Sequence, residues 1–253
     1  MSLAGKRIVN TRAVHQAEEF DALLRAQGAI PLDYPCIAIV PPKDTTALDQ
    51  ALREEFDLLI LTSANTVLML AQRLETLGLS LVGMKAAAVG AATAEAARDL
   101  IGVEIGVIPD DYSADALADA LMVTTGMRIL LPQSVIAGRD LAASLTLRGA
   151  DVSLVTAYRT IRGSGGVELV PLLKRREVDA VTFTSSSTAR FFVERLQIEG
   201  ASSADLGGVC IASIGAQTSK TVRELGLSVT VEAEKHTLAG LIEGLAAHFG
   251  EPL

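Results

Sequence analysis

The chain has 253 residues, a formal net charge of -8, 49% hydrophobic and 21% charged residues, and no Trp. That length fits one large domain or two of moderate size, with a core of Ala, Leu and Val. The acidic balance, with no Lys/Arg stripe interleaved with aromatics, argues against nucleic-acid binding, and no apolar run reaches the roughly 18 residues of a membrane span.

Strand and helix patterns alternate along the chain. Residues 7–11 (Arg-Ile-Val-Asn-Thr) predict a strand, and Ala17, Phe20, Leu23 and Leu24 share one face of a helix that ends at Gly28. The run Ala29-Ile-Pro-Leu-Asp-Tyr-Pro-Cys-Ile37 is extended. After Pro41-Pro42 come a short helix over about 45–53, a buried strand over 57–62, and a helix from Ser63 to a C-cap at Gly78. Residues 86–90, 91–100 and 103–108 read as strand, helix and strand, with a further helix from near Ser113. The run from Asp151 to Thr160 alternates Val, Thr and Tyr as a strand does, and the glycines of Gly163-Ser-Gly-Gly166 favour a turn or flexible joint.

The second half repeats the first. Phe56-Asp-Leu-Leu-Ile-Leu-Thr-Ser-Ala-Asn-Thr-Val67 aligns with Val178-Asp-Ala-Val-Thr-Phe-Thr-Ser-Ser-Ser-Thr-Ala189 at an offset of 122 (178 - 56), and Val89-Gly-Ala-Ala-Thr93 with Ile214-Gly-Ala-Gln-Thr218 at 125 (214 - 89). Lys6-Arg-Ile-Val9 aligns with Met127-Arg-Ile-Leu130 at 121 (127 - 6). The expected architecture is therefore α/β: two flavodoxin-like, doubly wound parallel-sheet domains joined by a two-stranded linker, each with about five strands. In such sheets ligands sit beyond the carboxyl ends of the strands, among exposed N–H groups and helix N-termini. Here those turns are 10–12, 62–65, 90–93, 133–139, 184–187 and 215–218, rich in Ser, Thr and Gly. Any one of these hydroxyls can serve as a helix cap; six such turns together can hold a polyanion.

Cys36 and Cys210 sit in apolar strands with no metal-ligand spacing and read as buried free thiols, and His15, His236 and His248 are scattered on helical patterns. A metal site has no support, and neither a phosphate loop ending in Gly-Lys-Ser/Thr nor GxGxxG after a strand is present, so no cofactor is expected. The start Met1-Ser-Leu-Ala-Gly-Lys6 lacks a signal core, which suggests a cytoplasmic protein, with monomer as the default.

Asn10-Thr-Arg12, Leu61-Thr-Ser-Ala-Asn65, Val89-Gly-Ala-Ala-Thr93, Ala157-Tyr-Arg-Thr160, Phe183-Thr-Ser-Ser-Ser187 and Ile214-Gly-Ala-Gln-Thr218, in this order and spacing, resemble the uroporphyrinogen-III synthase family. Gln133-Ser134 stands where many members carry Arg-Gly. The resemblance implies a cofactor-free enzyme that cyclises hydroxymethylbilane, a linear tetrapyrrole with eight carboxylates, through a spiro intermediate in the cleft between the domains. The last pyrrole ring is inverted and water is lost; without the enzyme the symmetric isomer I forms. It also implies a hand-over of substrate from hydroxymethylbilane synthase, and domains made of residues 1–34 with 163–253 and of 35–162. Both extended runs then act as linkers, with proteolytic cleavage expected near 163–166.

Tyr158 matches the family's linker tyrosine. A phenol, with a pKa near 10 in water, can donate to the departing hydroxyl at neutral pH, although a ring that only packs the joint is the competing reading. Thr93 and Thr218 are expected to bind substrate, with Ser63, Asn65, Ser185 and Ser187 beside them; Arg12, Arg139 and Lys220 are candidate partners for carboxylates or else solvated surface charges. The rival reading is a non-catalytic hinged binding protein for a small anion.

Overall fold

The computed structural model describes residues 3–111 and 113–250. Met1 and Ser2, where the segment read as carrying no leader begins, lie outside the described residues, as do Tyr112 and 251–253. The first half runs β1 (Arg7–Asn10), α1 (Val14–Ala26), β2 (Ile30–Asp33), β3 (Ile37–Val40), α2 (Thr46–Ala51), β4 (Leu58–Leu61), α3 (Ala64–Leu77), β5 (Lys85–Ala88), α4 (Ala91–Ile101), β6 (Glu104–Val107) and α5 (Ala114–Ala120). The second runs β7 (Arg128–Ser134), α6 (Asp140–Leu147), β8 (Asp151–Arg162), α7 (Leu169–Lys174), β9 (Ala180–Phe183), α8 (Ser186–Ile198), β10 (Cys210–Ser213), α9 (Ala216–Glu224), β11 (Val231–Glu232) and α10 (Leu238–Gly250).

Two compact units result: residues 1–38 with 161–253, and residues 39–160. The first contains a sheet in the order β2-β1-β9-β10-β11, parallel throughout; the second has the order β8-β7-β4-β5-β6, also parallel, with β3 added outside β8. Numbered by position in the repeat, so that β7 and β8 count as the first two strands of the second unit, both are 2-1-3-4-5, the flavodoxin-like order. Strand register carries the repeat into three dimensions. Arg7 faces Ile30 and Arg128 faces Asp151, both members shifted by 121 (128 - 7 and 151 - 30). Val181 faces Ile211 and Leu59 faces Ala86, shifted by 122 (181 - 59) and 125 (211 - 86). Each unit thus takes its first two strands from one repeat and its last three from the other.

The central strands are apolar on both faces because helices cover both. In the first unit Val9, Val181, Phe183 and Ile211 pack with Tyr34 and Phe192 on one side, while Ile8, Ala180, Cys210 and Ala212 meet Phe20, Leu24, Leu241 and Leu245 on the other. In the second, Leu59, Leu61, Ala86 and Leu130 pack with α3 and α4, and Leu58, Ile60, Ala87, Ile129 and Leu131 with α5 and α6. Ser63 caps the start of α3, and Gly78 (φ 63°) ends it in the left-handed conformation that glycine adopts without strain. Both cysteines are buried free thiols, and burial pushes both up, Cys210 to about 11.

Three local expectations change. The run 29–37 is not simply a linker. Its residues 30–33 form an edge strand beside β1, and Tyr34 and Cys36 are wholly buried in the first unit's core. Nor is the glycine-rich stretch 163–166 a loose joint: Gly163 N–H donates to Cys36 O (2.9 Å), Val167 N–H to Asp33 O (2.7 Å), and Arg195 Nη2 to Gly165 O (2.8 Å). Arg195 also donates to Pro35 O (2.9 Å) and Glu199 (2.7 Å) and lies 3.7 Å over the Tyr34 ring, so one guanidinium binds both stretches. At Gly163 and Gly166 the two stretches approach too closely to leave room for a Cβ. His236, finally, lies ahead of α10 rather than on a helix, its ring against the backbone of Gly215.

Candidate functional site

In the 2-1-3-4-5 order, the direction of winding reverses between the first and third strands of each unit, and the crevice beyond their carboxyl ends is where ligands of such sheets bind. In residues 39–160 that point lies between β7 and β4, and it is bordered by the turns after β7 and β4. Ser63 ends the second of these turns. Its Oγ accepts the Asn65 N–H at 3.1 Å as the N-cap of α3, and Tyr158 on β8 directs its hydroxyl to the same Oγ at 3.4 Å. The Tyr158 ring is 8% exposed and packs on Leu68, Met69, Ala157 and Ile39, which fixes the direction of the hydroxyl. Thr93, on the first turn of α4 after the neighbouring strand β5, is buried, and Asn65 is half-buried. Arg139 stands exposed at the N-cap position of α6 and makes no side-chain cap bond.

Residues 1–38 with 161–253 repeat the arrangement between β1 and β9. Ser185 caps α8 in a reciprocal box with Thr188, and Ser187 is half-buried on the same turn. Thr218, 5% exposed, lies in the first turn of α9, where Gly215 leaves the helix start without a side-chain cap. Lys220 is exposed two residues on. Tyr158 and Ser63 are thus brought within reach of each other, whereas Arg139 and Lys220 remain solvated charges. Arg12 does not. Its side chain is 14% exposed, it pairs with Glu19 at 3.2 Å, burial lowers its pKa, and its Nε is buried without a partner. α1 packs against the turn, with Glu19 holding Arg12 and Ala17 O accepting Asn10 Nδ2 at 3.1 Å.

A carboxylate that sequence reasoning missed lies under that turn. Asp21 is buried on the apolar face of α1, accepts Asn10 Nδ2 at 2.9 Å and lies against Asp33, whose Oδ1 is buried and unpaired. Asn10 in turn accepts the Arg12 N–H at 3.1 Å. Burial first, opposed by the Asn10 hydrogen bond and reinforced by Asp33, raises Asp21 to about 6, with Arg25 pulling the other way. An acid at position 21 within the apolar stripe 17, 20, 24 was the available signal. Because folding raises this pKa, its contribution to stability is fully present below the ordinary value of 3.8 and is lost as pH rises through about 6. Asp21→Asn, a permanently neutral donor to Asp33, should therefore stabilise the fold by about 2 kcal/mol at pH 8 and far less at pH 4. Denaturant titrations at the two pH values check this, and equal effects would mean that Asp21 is an ordinary carboxylate.

Among the described residues no group of three or more His, Cys, Asp or Glu could hold a metal ion, and no helix is long and apolar enough to cross a membrane.

The fold defines a duplicated α/β protein of flavodoxin-like units, with small polar side chains and helix N-termini at the carboxyl ends of both sheets. The model of the family described as "Uroporphyrinogen-III synthase HemD" matches residues 18–243. The uroporphyrinogen-III synthase of Synechococcus elongatus is 37% identical over an alignment covering 95% of this chain and 94% of that protein. The crystal structure of a mutant uroporphyrinogen III synthase from the extremely thermophilic bacterium Thermus thermophilus matches with a TM-score of 0.64 at 25% identity, covering 96% of this chain and 99% of that one. The Helicobacter pylori enzyme shares the fold, with a TM-score of 0.63 at 19% identity over 96% and 99%. The chain belongs to the uroporphyrinogen-III synthase family.

Proposed function

We propose that this protein performs its family's reaction, the cyclisation of hydroxymethylbilane to uroporphyrinogen III with inversion of the last pyrrole ring, and that Tyr158 is its proton donor. The observation that carries the residue assignment is the Tyr158 hydroxyl, held at the N-terminus of α3 by a ring otherwise enclosed in apolar side chains. Donation to the terminal hydroxyl of the substrate lets that group leave as water, and the resulting azafulvene cation is attacked by the last ring at its substituted carbon. The spiro intermediate then opens on the other side and recloses. A flexible chain closes spontaneously at the wrong carbon, so the protein's main contribution is to hold reacting atoms in place.

With a net charge of -8 the protein has no overall field to attract a substrate bearing eight carboxylates. Backbone N–H groups and helix dipoles at the turns beyond the strand ends, with the polar side chains of Asn65, Thr93, Ser185, Ser187 and Thr218, are suited to that task, and Arg139 and Lys220 are the solvated cations beside them, Arg12 being held by Glu19. The same reading makes the protein a cytoplasmic monomer that receives its substrate from hydroxymethylbilane synthase. Freshly generated hydroxymethylbilane supplied with and without the protein, with the uroporphyrinogen isomers resolved by chromatography, tests the activity. Predominantly isomer III is expected. Isomer I at the spontaneous rate, from protein shown to be folded, would overturn the reading.

A further inference from the structure

The two repeats carry the same helix-capping motif, Thr-Ser-x-x-Thr, at residues 62–66 and 184–188, and the two copies are wired differently. In the second copy the box is closed. Ser185 Oγ accepts the Thr188 N–H at 3.2 Å, Thr188 Oγ1 accepts the Ser185 N–H at 3.2 Å, and the Thr188 hydroxyl donates to Ser185 O at 2.7 Å. In the first copy the Thr66 N–H turns to Ser63 O at 3.0 Å, the Thr66 hydroxyl is wholly buried and its oxygen has no partner, and Ser63 Oγ accepts the Asn65 N–H instead. Ser63 Oγ is then in reach of Tyr158. β8 bulges between Thr156 and Tyr158, so the counterpart of Tyr158 in the first repeat is Cys36 or Ile37, and neither has a hydroxyl to present.

A buried hydroxyl without a partner is uncommon in a native fold and calls for an explanation. The same motif in the other repeat closes its box, so the motif alone does not open this one. Opening it leaves the Ser63 hydroxyl proton uncommitted to its own cap, and the group it faces is Tyr158.

We propose that Ser63 is a positioning residue for Tyr158 rather than a contact for a substrate carboxylate. This rests on the reading of Tyr158 as proton donor. When the C–O bond of the substrate's hydroxymethyl group breaks, its electron pair leaves with the oxygen, and the Tyr158 proton completes the water molecule. The phenolate oxygen left behind accepts the Ser63 hydroxyl proton as a hydrogen bond, at the N-terminus of α3, where negative charge is favoured. Ser63 Oγ continues to accept from Asn65 meanwhile. The proton released when the last pyrrole ring regains aromaticity restores the phenol, so protons balance over a turnover. At 3.4 Å the two hydroxyls stand beyond the roughly 2.8 Å of a formed O–H···O bond, and contacts of this kind tighten when substrate binds.

The test is steady-state kinetics on the full chain for Ser63→Ala, Ser63→Thr, Tyr158→Phe and the double variant Ser63→Ala/Tyr158→Phe. Ser113→Ala, which removes the cap of α5 (Ser113 Oγ to Ala116 N–H, 3.1 Å), serves as the cap-loss control, with thermal unfolding recorded for each. Ser63→Ala should lower kcat by about 10- to 150-fold, the worth of one hydrogen bond to a charged group, with KM unchanged. Ser63→Thr should restore most of it, Ser113→Ala should keep wild-type kcat, and in the Tyr158→Phe background loss of the Ser63 hydroxyl should change nothing further. A raised KM at unchanged kcat would make Ser63 a substrate contact and overturn the pairing. So would a Ser63→Ala effect that persists undiminished in the Tyr158→Phe background, or a Ser113→Ala loss of the same size. Wild-type kcat in Tyr158→Phe would remove the donor itself and the pairing with it, whereas an undiminished Ser63 effect beside a slow Tyr158→Phe would sink the pairing alone.

Discussion

Tyr158→Phe should lower the kcat for isomer III formation by about 10²- to 10⁴-fold, the usual worth of a positioned general acid, while KM changes little. Phe keeps the ring that packs on Leu68, Met69, Ala157 and Ile39, so the strand and the start of α3 should stay as they are. What is lost is one O–H at the point where the leaving hydroxyl needs a proton. Some activity should remain, because pyrrole electrons already assist departure of the hydroxyl and the carboxylate contacts still hold the chain folded against closure at the wrong carbon. Single-turnover measurement of isomer III, with isomer I followed in parallel, separates the two roles. A slow rate at an unchanged isomer ratio identifies a proton donor; a normal rate with more isomer I would make Tyr158 a wall that shapes the substrate. Wild-type rate and ratio would remove it from the mechanism.

Much of this was legible before the structure. Offsets of 121, 122 and 125 between repeats reappear as strand registers, because a duplicated apolar pattern specifies a duplicated sheet. Ser63 and Ser185 were legible as caps, and Tyr158 as a strand residue. The difference between the two caps was not. It depends on Tyr158, which lies 95 residues from Ser63, and on the unpaired oxygen of Thr66, and the motif is the same in both repeats. Arg12 was open to reading as surface charge because a cation after a strand is usually solvated; its burial depends on how α1 packs against the turn. The glycines at 163–166 misled for a different reason. Glycine permits both mobility and close backbone approach, and which of these applies is decided by Asp33 and Pro35, about 130 residues earlier in the chain.

Gly166→Ala should cost about 3 to 5 kcal/mol of stability, among the largest effects available to a single methyl group. Gly166 has φ 77°, a conformation that costs a residue with a Cβ about 1–3 kcal/mol. The added Cβ would also collide with the carbonyl of Asp33 and lie 2.8 Å from Pro35 Cδ, and no flexible side chain is there to yield. The backbone must therefore move, which stretches the Val167 N–H bond to Asp33 O and pulls on Gly165 O, where Arg195 is anchored. Overpacking of this kind adds about 1–3 kcal/mol. Gly165→Ala is the matched control, since its φ is 82° but a Cβ there meets nothing within 4 Å, so it should show the strain alone. Because the chain forms two units, unfolding should be followed with probes specific to each, and the loss should fall on residues 1–38 with 161–253. Limited proteolysis gives the complementary reading. The wild-type chain should resist cleavage at 163–166, because a protease needs an extended, detached backbone there, and Gly166→Ala should become susceptible. Equal destabilisation by the two alanines, or ready cleavage of the wild type at this segment, would mean that the glycines form the mobile joint their composition first suggested and that the Arg195 clasp does not hold.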